Sequence, residues 1–230
     1  MKAMVLAAGR GERMRPLTDH LPKSLLKAGG TPLIVCHVEK LAAAGFTHVV
    51  INHAHLGHLI EAELGDGGRY GIAIEYSPEK QALETAGGIA LAMPRLGAEP
   101  FAVINADVYS DYDYSRLREV GPRLLSGTAL AHLVLVDNPE HHAQGDFALH
   151  DGRLSLEGAK LTFSGLGVYR GEMFAHLARG EHARLAPLLF ANLSKVTGER
   201  YVGRWCDVGT PARLAQLNAD LAGLASREGL

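Results

Sequence analysis

The chain has 230 residues, 47% of them hydrophobic and 21% charged, with a formal net charge of -2. That balance is ordinary for a soluble globular protein, leaves no basic footprint for nucleic acid and requires a charged ligand to be met by local groups. No apolar run reaches the ~20 residues of a membrane span. Two cysteines, Cys36 and Cys206, and a charged glycine loop where a leader would stand point to a reducing cytoplasm.

Through the first half, short apolar runs alternate with amphipathic stretches, the pattern of parallel strands joined by crossover helices. Ala3–Ala7, His48–Asn52, Ile72–Tyr76 and Phe101–Asn105 read as strands. Pro32–Ala44 reads as a helix stopped by Gly45, His58–Leu64 as one ended by glycines, and Ala86–Met93 as one that stops before Pro94. Downstream, Leu130–Val136 and Leu161–Tyr169 read as strands. Asp146–His150 and Arg153–Leu156 flank Asp151-Gly152 as a hairpin, a small β-rich insertion on the side of a second substrate. Glu172–Leu177 and Arg184–Asn192 read as short helices, and Thr210-Pro211 caps a last helix running to about Leu221. The expected fold class is α/β, a Rossmann-like three-layer sandwich on a mostly parallel central sheet. Residues 1–222 are expected to form a single domain, with 223–230 a loose tail.

The chemistry begins where the first strand ends, at Leu6-Ala7-Ala8-Gly9-Arg10-Gly11-Glu12-Arg13. Glycines there uncover backbone amides, a means of cradling phosphate, and Arg13, Arg15 and Lys23 offer the charge a triphosphate needs. A P-loop is excluded, because Lys23 lies far past Gly11 and beyond Pro22. The dinucleotide fingerprint is excluded because Met14 stands where its third glycine belongs. Two acids leave apolar segments just before turns: Asp107 in Asn105-Ala106-Asp107, and Asp207 in Trp205-Cys206-Asp207-Val208-Gly209-Thr210-Pro211. Mg²⁺ takes one or two carboxylates plus phosphate oxygens and water, so such a pair beside a triphosphate would suit it, although the sequence alone does not bring the two together.

Taken together, L-A-A-G-x-G-x-R-x-x-P-L-T-x-x-x-P-K-x-L-L, N-x-D and W-x-D-V-G-T-P resemble the signatures of the sugar-1-phosphate nucleotidylyltransferases, in that family's order and over residues 1 to about 221. The resemblance implies the fold of that family, a Mg²⁺ ion on Asp107 and Asp207, and two partners, a nucleoside triphosphate and a sugar 1-phosphate. It places the nucleotide on Leu6, Ala8, Gly9, Gly11, Glu12, Arg13 and Lys23, and on Glu84, Thr85 and Gly88 of the loop Leu83-Glu84-Thr85-Ala86-Gly87-Gly88. Arg13 and Lys23 are the catalytic cations it implies. UTP is the triphosphate expected from the resemblance, with guanylyl and thymidylyl transfer as alternatives and a non-catalytic sensor on the same fold as a rival of another class.

The sugar side is thinner. Asn105, and Gly145 of Asn138-Pro139-x-His141-x-x-x-Gly145-Asp146-Phe147, are candidates there, while the family's Glu-Lys-Pro segment is missing and Glu157 and Lys160 are its nearest substitutes. Arg15 reads better as a surface cation than as a ligand contact. His53-x-His55-x-x-His58 lacks the partners of a zinc site and reads as structural, as does Cys206. A sugar-1-phosphate nucleophile is already an anion, so no Ser-His or Cys-His pair is expected. Monomer and homodimer remain equally open.

Overall fold

A computed structural model describes residues 1–228. The strands are β1 (Ala3–Leu6), β2 (Lys27–Ala28), β3 (Thr31–Pro32), β4 (His48–His53), β5 (Ala73–Pro78), β6 (Phe101–Asn105), β7 (Val108–Ser110), β8 (Ala131–Val136), β9 (Phe147–His150), β10 (Arg153–Ser155), β11 (Lys160–Tyr169), β12 (Val196–Arg200) and β13 (Trp205–Asp207). The helices are α1 (Leu33–Ala43), α2 (Gly57–Leu64), α3 (Glu84–Leu96), α4 (Ser115–Ser126), α5 (Leu185–Ala191) and α6 (Pro211–Glu228).

One 9-stranded sheet carries the fold in the order β5-β4-β1-β6-β11-β8-β12-β10-β9. Its pairings run β1, β4, β5, β6, β8, β9 and β12 in one direction and β10 and β11 in the other, so the sheet is mostly parallel. Alternation along the strands builds two cores, since successive side chains point to opposite faces. Ala3, Val5, Ala102 and Ile104 face one side and pack with Val38 and Leu41 of α1, Ile60 of α2, and Leu117 and Val120 of α4. Met4, Phe101 and Val103 face the other and pack with Ile89 and Ala92 of α3 and Leu185 and Leu189 of α5. This is the expected three-layer sandwich.

The expected hairpin forms as β9–β10, at the far edge of the main sheet. Its turn takes the paired positive φ that Asp-Gly supplies, 49° at Asp151 and 76° at Gly152. Several local expectations are corrected. Helix α3 starts at Glu84 and carries Pro94 inside its last turns. Helix α4 is masked in the sequence by Gly121-Pro122, and its amphipathic face of Leu117, Val120 and Leu124 outweighs that local break. Glu172–Leu177 yields only a 3-10 turn, Gly171–Phe174. The last helix continues past Leu221 to Glu228, so 223–228 is helical instead of a loose tail; the remaining two tail residues lie outside the described ones. No described helix is long and apolar enough to cross a membrane.

A third, smaller core lies outside the sheet. Met14 of the glycine loop, Leu26, Leu33, Val208, and Leu214 and Leu217 of α6 cluster there, joining the two ends of the chain. Ile104, by contrast, lies in the middle of the main sheet and is 0% exposed. We expect Ile104→Ala to destabilise the fold by about 2–5 kcal/mol, read as a lower urea midpoint at unchanged slope.

Candidate active site

Where β1 leaves the sheet, the Ala7 amide donates to Asn52 Oδ1 at 2.9 Å, and it also approaches the Asn52 carbonyl at 3.2 Å. Among the described residues, the amides of Ala8, Gly9, Arg10 and Gly11 donate to no main-chain acceptor, which leaves them to an anion. Gly11 holds φ +65°, and a Cβ there would lie 3.0 Å from Thr18 Cγ2 and 3.1 Å from Lys23 Cβ. The Thr18 hydroxyl donates to the Gly11 carbonyl at 2.8 Å and fixes the turn.

A cleft of about 370 Å³ opens above this loop, lined among others by Leu6, Ala8, Gly9, Lys23, Glu84, Thr85, Asn105 and Asp107. Its floor is set by two residues that sequence reasoning missed, Asn52 and Glu79, at the ends of β4 and β5. Asn52 Nδ2 donates to Glu79 Oε1 at 2.6 Å, and the Leu83 amide donates to Glu79 Oε2 at 2.9 Å. One chain of hydrogen bonds therefore runs from the glycine loop to the start of α3, tying the two walls together. Gly88 serves this link, since a Cβ there would come within 2.7 Å of Glu79 Oε1 and 2.8 Å of Asn52 Nδ2. Gly87 admits the segment behind, where the Ala183 carbonyl accepts the Ala86 and Gly87 amides. Burial raises the Glu79 carboxyl above its ordinary value, against the two hydrogen bonds that favour its ionised form.

A second cavity of about 360 Å³ adjoins the first and shares Asn105 and Asp107 with it; Arg13, His141, His142, Asp146, Trp205 and Asp207 complete much of its wall. The two acids meet because β7 and β13 form a short antiparallel ladder outside the main sheet. Asp207 pairs with Val108, and the Val208 amide donates to the Asp107 carbonyl at 2.8 Å. A glycine-containing irregularity of β11 completes the wall: Gly165, at φ +80°, makes room for Asn105, whose Nδ2 would lie 2.7 Å from a Cβ.

Both acids carry cations. Lys23 Nζ contacts Asp107 Oδ2, with the lysine side chain only 11% exposed. Arg213 Nη1 lies 2.7 Å from both Oδ1 and Oδ2 of Asp207, and His141 Nε2 lies 2.9 Å from Oδ1. Arg213 is absent from the sequence-based candidates; its signal is position, three residues into a helix capped by Thr210, from which a side chain tilts back toward the preceding loop.

The structure thus gathers Leu6, Ala8, Gly9, Lys23, Glu84, Thr85, Asn105 and Asp107 in one cleft and Arg13 and Asp207 in its neighbour. Gly11, Glu12, Gly88, Gly145, Glu157 and Lys160 line neither cavity. Gly145 instead seats Asn138, whose Oδ1 would lie 2.7 Å from a Cβ. Lys160 offers its carbonyl to Asn138 Nδ2 at 2.9 Å, and Glu157 is exposed on the turn after β10. Arg15 pairs at the surface with Asp19 at 3.2 Å, and His53 meets Glu61 at 2.7 Å. Burial raises the Cys206 thiol, keeping it protonated.

A glycine loop at the end of a central parallel strand and two adjoining cavities, one with Asp107 and Asp207 both on its wall, suit a nucleotidyltransferase. A family model described as nucleotidyl transferase matches residues 2–145, and the chain belongs to that family. The chain is 52% identical, over 97% of its length and 99% of the relative, to the N-acetylmuramate alpha-1-phosphate uridylyltransferase of Neisseria meningitidis serogroup B. It is 30% identical to a mannose-1-phosphate guanylyltransferase of Mycobacterium tuberculosis, over 95% of this chain and 64% of that one. In fold it is similar to a Bacillus anthracis chain provisionally described as a glucose-1-phosphate thymidylyltransferase, solved with a sucrose (TM-score 0.83, 24% identity, 96% and 95% of the two chains).

Because Glu79 costs more to ionise when buried than when unfolded, its contribution to stability is full below the ordinary glutamate value of 4.5 and falls as pH rises through the raised one. Urea titrations of the wild type and Glu79→Gln are therefore expected to show the variant gaining stability relative to wild type as pH rises above about 4.5. A difference independent of pH would show that burial does not perturb this carboxyl.

Proposed function

We propose that the protein transfers a uridylyl group from UTP to N-acetylmuramate 1-phosphate and releases pyrophosphate, acting in the cytoplasm in the recycling of cell-wall sugars. The observation that carries the two-substrate reading is the pair of cavities joined at Asn105 and Asp107: the first offers free loop amides and Lys23 to a triphosphate, the second offers room for a sugar phosphate. UTP and N-acetylmuramate are taken from the Neisseria relative, which matches over nearly the whole of both chains.

The acceptor phosphate is an anion, so an in-line attack on the α-phosphorus needs positioning and charge neutralisation rather than a general base. The loop amides would hold the triphosphate and Lys23 the α-phosphate beside the incoming oxygen. Arg13, on the wall of the second cavity, would meet phosphate charge from that side. Asp107 and Asp207 fit a Mg²⁺ ion. They are two partly exposed carboxylates at one cavity, with no cluster of three or more His, Cys, Asp or Glu donors among the described residues, a set that leaves further positions to phosphate oxygens and water. When bound, the ion would draw charge from the reacting phosphates.

Pyrophosphate release measured with UTP, GTP, dTTP and CTP against N-acetylmuramate, mannose and glucose 1-phosphates is expected to give the highest kcat/KM for UTP with N-acetylmuramate 1-phosphate. Any faster pair overturns that substrate assignment. Asp107→Asn and Asp207→Asn are each expected to lower kcat by about 10²- to 10³-fold; full turnover in either would remove that acid from the mechanism.

A further inference from the structure

The mechanism gives Arg213 no part, yet it sits squarely on one of the two acids of the site. A single nitrogen, Nη1, stands 2.7 Å from each oxygen of Asp207, the equidistant position that a cation chelated by that carboxylate takes. The guanidinium is there by construction. Thr210 caps α6, its hydroxyl accepting from the Arg213 amide at 3.3 Å, and the helix directs the side chain back over its own first turn. Gly209 leaves the passage open, because a Cβ at that residue would stand 2.0 Å from Arg213 Nη2. The first turn of α6 contains no acidic residue, and a cation at that end of a helix faces the positive end of the macrodipole. Asp207, with His141 Nε2 in contact with the same nitrogen, holds Arg213 in this unfavourable place.

Asp107 is treated in the same way, with Lys23 on its Oδ2. Both carboxylates of the ladder β7–β13 are thus neutralised from elements other than their own. The two cations differ in what can release them. Lys23 lines the triphosphate cleft, so a bound nucleotide competes with Asp107 for it. Arg213 lines neither cavity, and a guanidinium does not deprotonate, so what competes with it directly is another cation at Asp207, where His141 Nε2 also reaches Oδ1 and touches Arg213 Nη1.

We propose that Arg213 is a built-in counter-ion that holds the cation position of Asp207 until a divalent metal displaces it, making metal affinity low until a triphosphate supplies the compensating charge. This rests on the assignment of Asp107 and Asp207 to the metal. Arg213 is a positioning residue, and its function is to couple metal entry to nucleotide entry, a coupling that must be reciprocal.

The test is Mn²⁺ binding to the full chain without nucleotide, counted by the electron paramagnetic resonance signal of the free ion. Arg213→Met is expected to bind Mn²⁺ about tenfold more tightly than wild type, since it removes a competing charge at contact distance, and Arg213→Met/Asp207→Asn is expected to lose that gain. If Arg213→Met does not fold, Arg213→Lys is expected to show the same direction at smaller size, because a lysine side chain loses the planar guanidinium that spans the distance. Unchanged or weaker Mn²⁺ binding in the folded variant, with Mn²⁺ in the UTP complex of wild type still lost on Asp207→Asn, overturns the counter-ion role alone. Mn²⁺ bound equally by wild type and Asp207→Asn in the UTP complex overturns the metal assignment, and the proposal with it.

Discussion

The site depends on the side-chain amide of Asn52. Its two ends have opposite polarity, and both are committed: the oxygen to the Ala7 amide, the nitrogen to Glu79. That fixes how β1 hands over to the glycine loop and how far the start of α3 stands from it. Leucine at this position would take away the side-chain acceptor of the Ala7 amide and one of the two donors that meet the Glu79 carboxyl, leaving Ala7 only the longer contact to the residue 52 carbonyl and Glu79 only the Leu83 amide. Aspartate is excluded because it would set two carboxylates against each other. These hydrogen bonds join the two walls of the cleft, and Gly88 is the empty space that lets them form.

The second dependence is topological. β1 and β6 are neighbours in the main sheet, so Leu6 and Asn105 end side by side and the glycine loop and Asp107 emerge at the same edge, where open parallel sheets bind ligands. Asp207 comes from a segment distant in sequence and reaches this edge only through the ladder with β7. Trp205 secures that ladder to the main sheet, its indole nitrogen donating to the Ser164 carbonyl at 2.9 Å beside the irregularity in β11.

β1, β4 and β6 are legible because strands buried on both faces leave short continuous apolar runs, and β5, at the sheet edge, is legible by its alternation of buried and exposed residues. The glycine loop is legible because Gly11 has no substitute at its φ. Asp107 and Asp207 stand out as acids at the ends of apolar segments. What stays hidden has no local signature. Glu79 follows a proline in a polar stretch, and its importance lies in a partner on β4. Arg213 looks like any charged residue of an exposed helix, and only the fold of the preceding turn aims it at Asp207. Glu157 and Lys160 are plausible by their chemistry, while the fold puts Glu157 on the turn after β10 and pairs Lys160 with Ala148 of β9, and neither lines a cavity. Helix α4 is obscured by a Gly-Pro pair that burial of one face overrides.

Segments far apart in the sequence pack together beside the site. Met14 beneath the glycine loop packs against Val208, Leu214 and Leu217, so the loop that meets phosphate and the helix that carries Arg213 share a core separate from the sheet's two faces. Asn218 of α6 reinforces it, its Oδ1 accepting the Gly29 amide at 2.8 Å and its Nδ2 donating to the Lys27 carbonyl at 3.2 Å across the β2–β3 corner. Lys23 lies between that corner and the loop. The Lys23 contact with Asp107 and the Arg213 contact with Asp207 therefore lie beside one small core, which Val208 joins to the ladder that carries Asp207. Val208 follows Asp207 directly and packs in this core, so the packing that seats Arg213 on α6 also seats the acid it contacts.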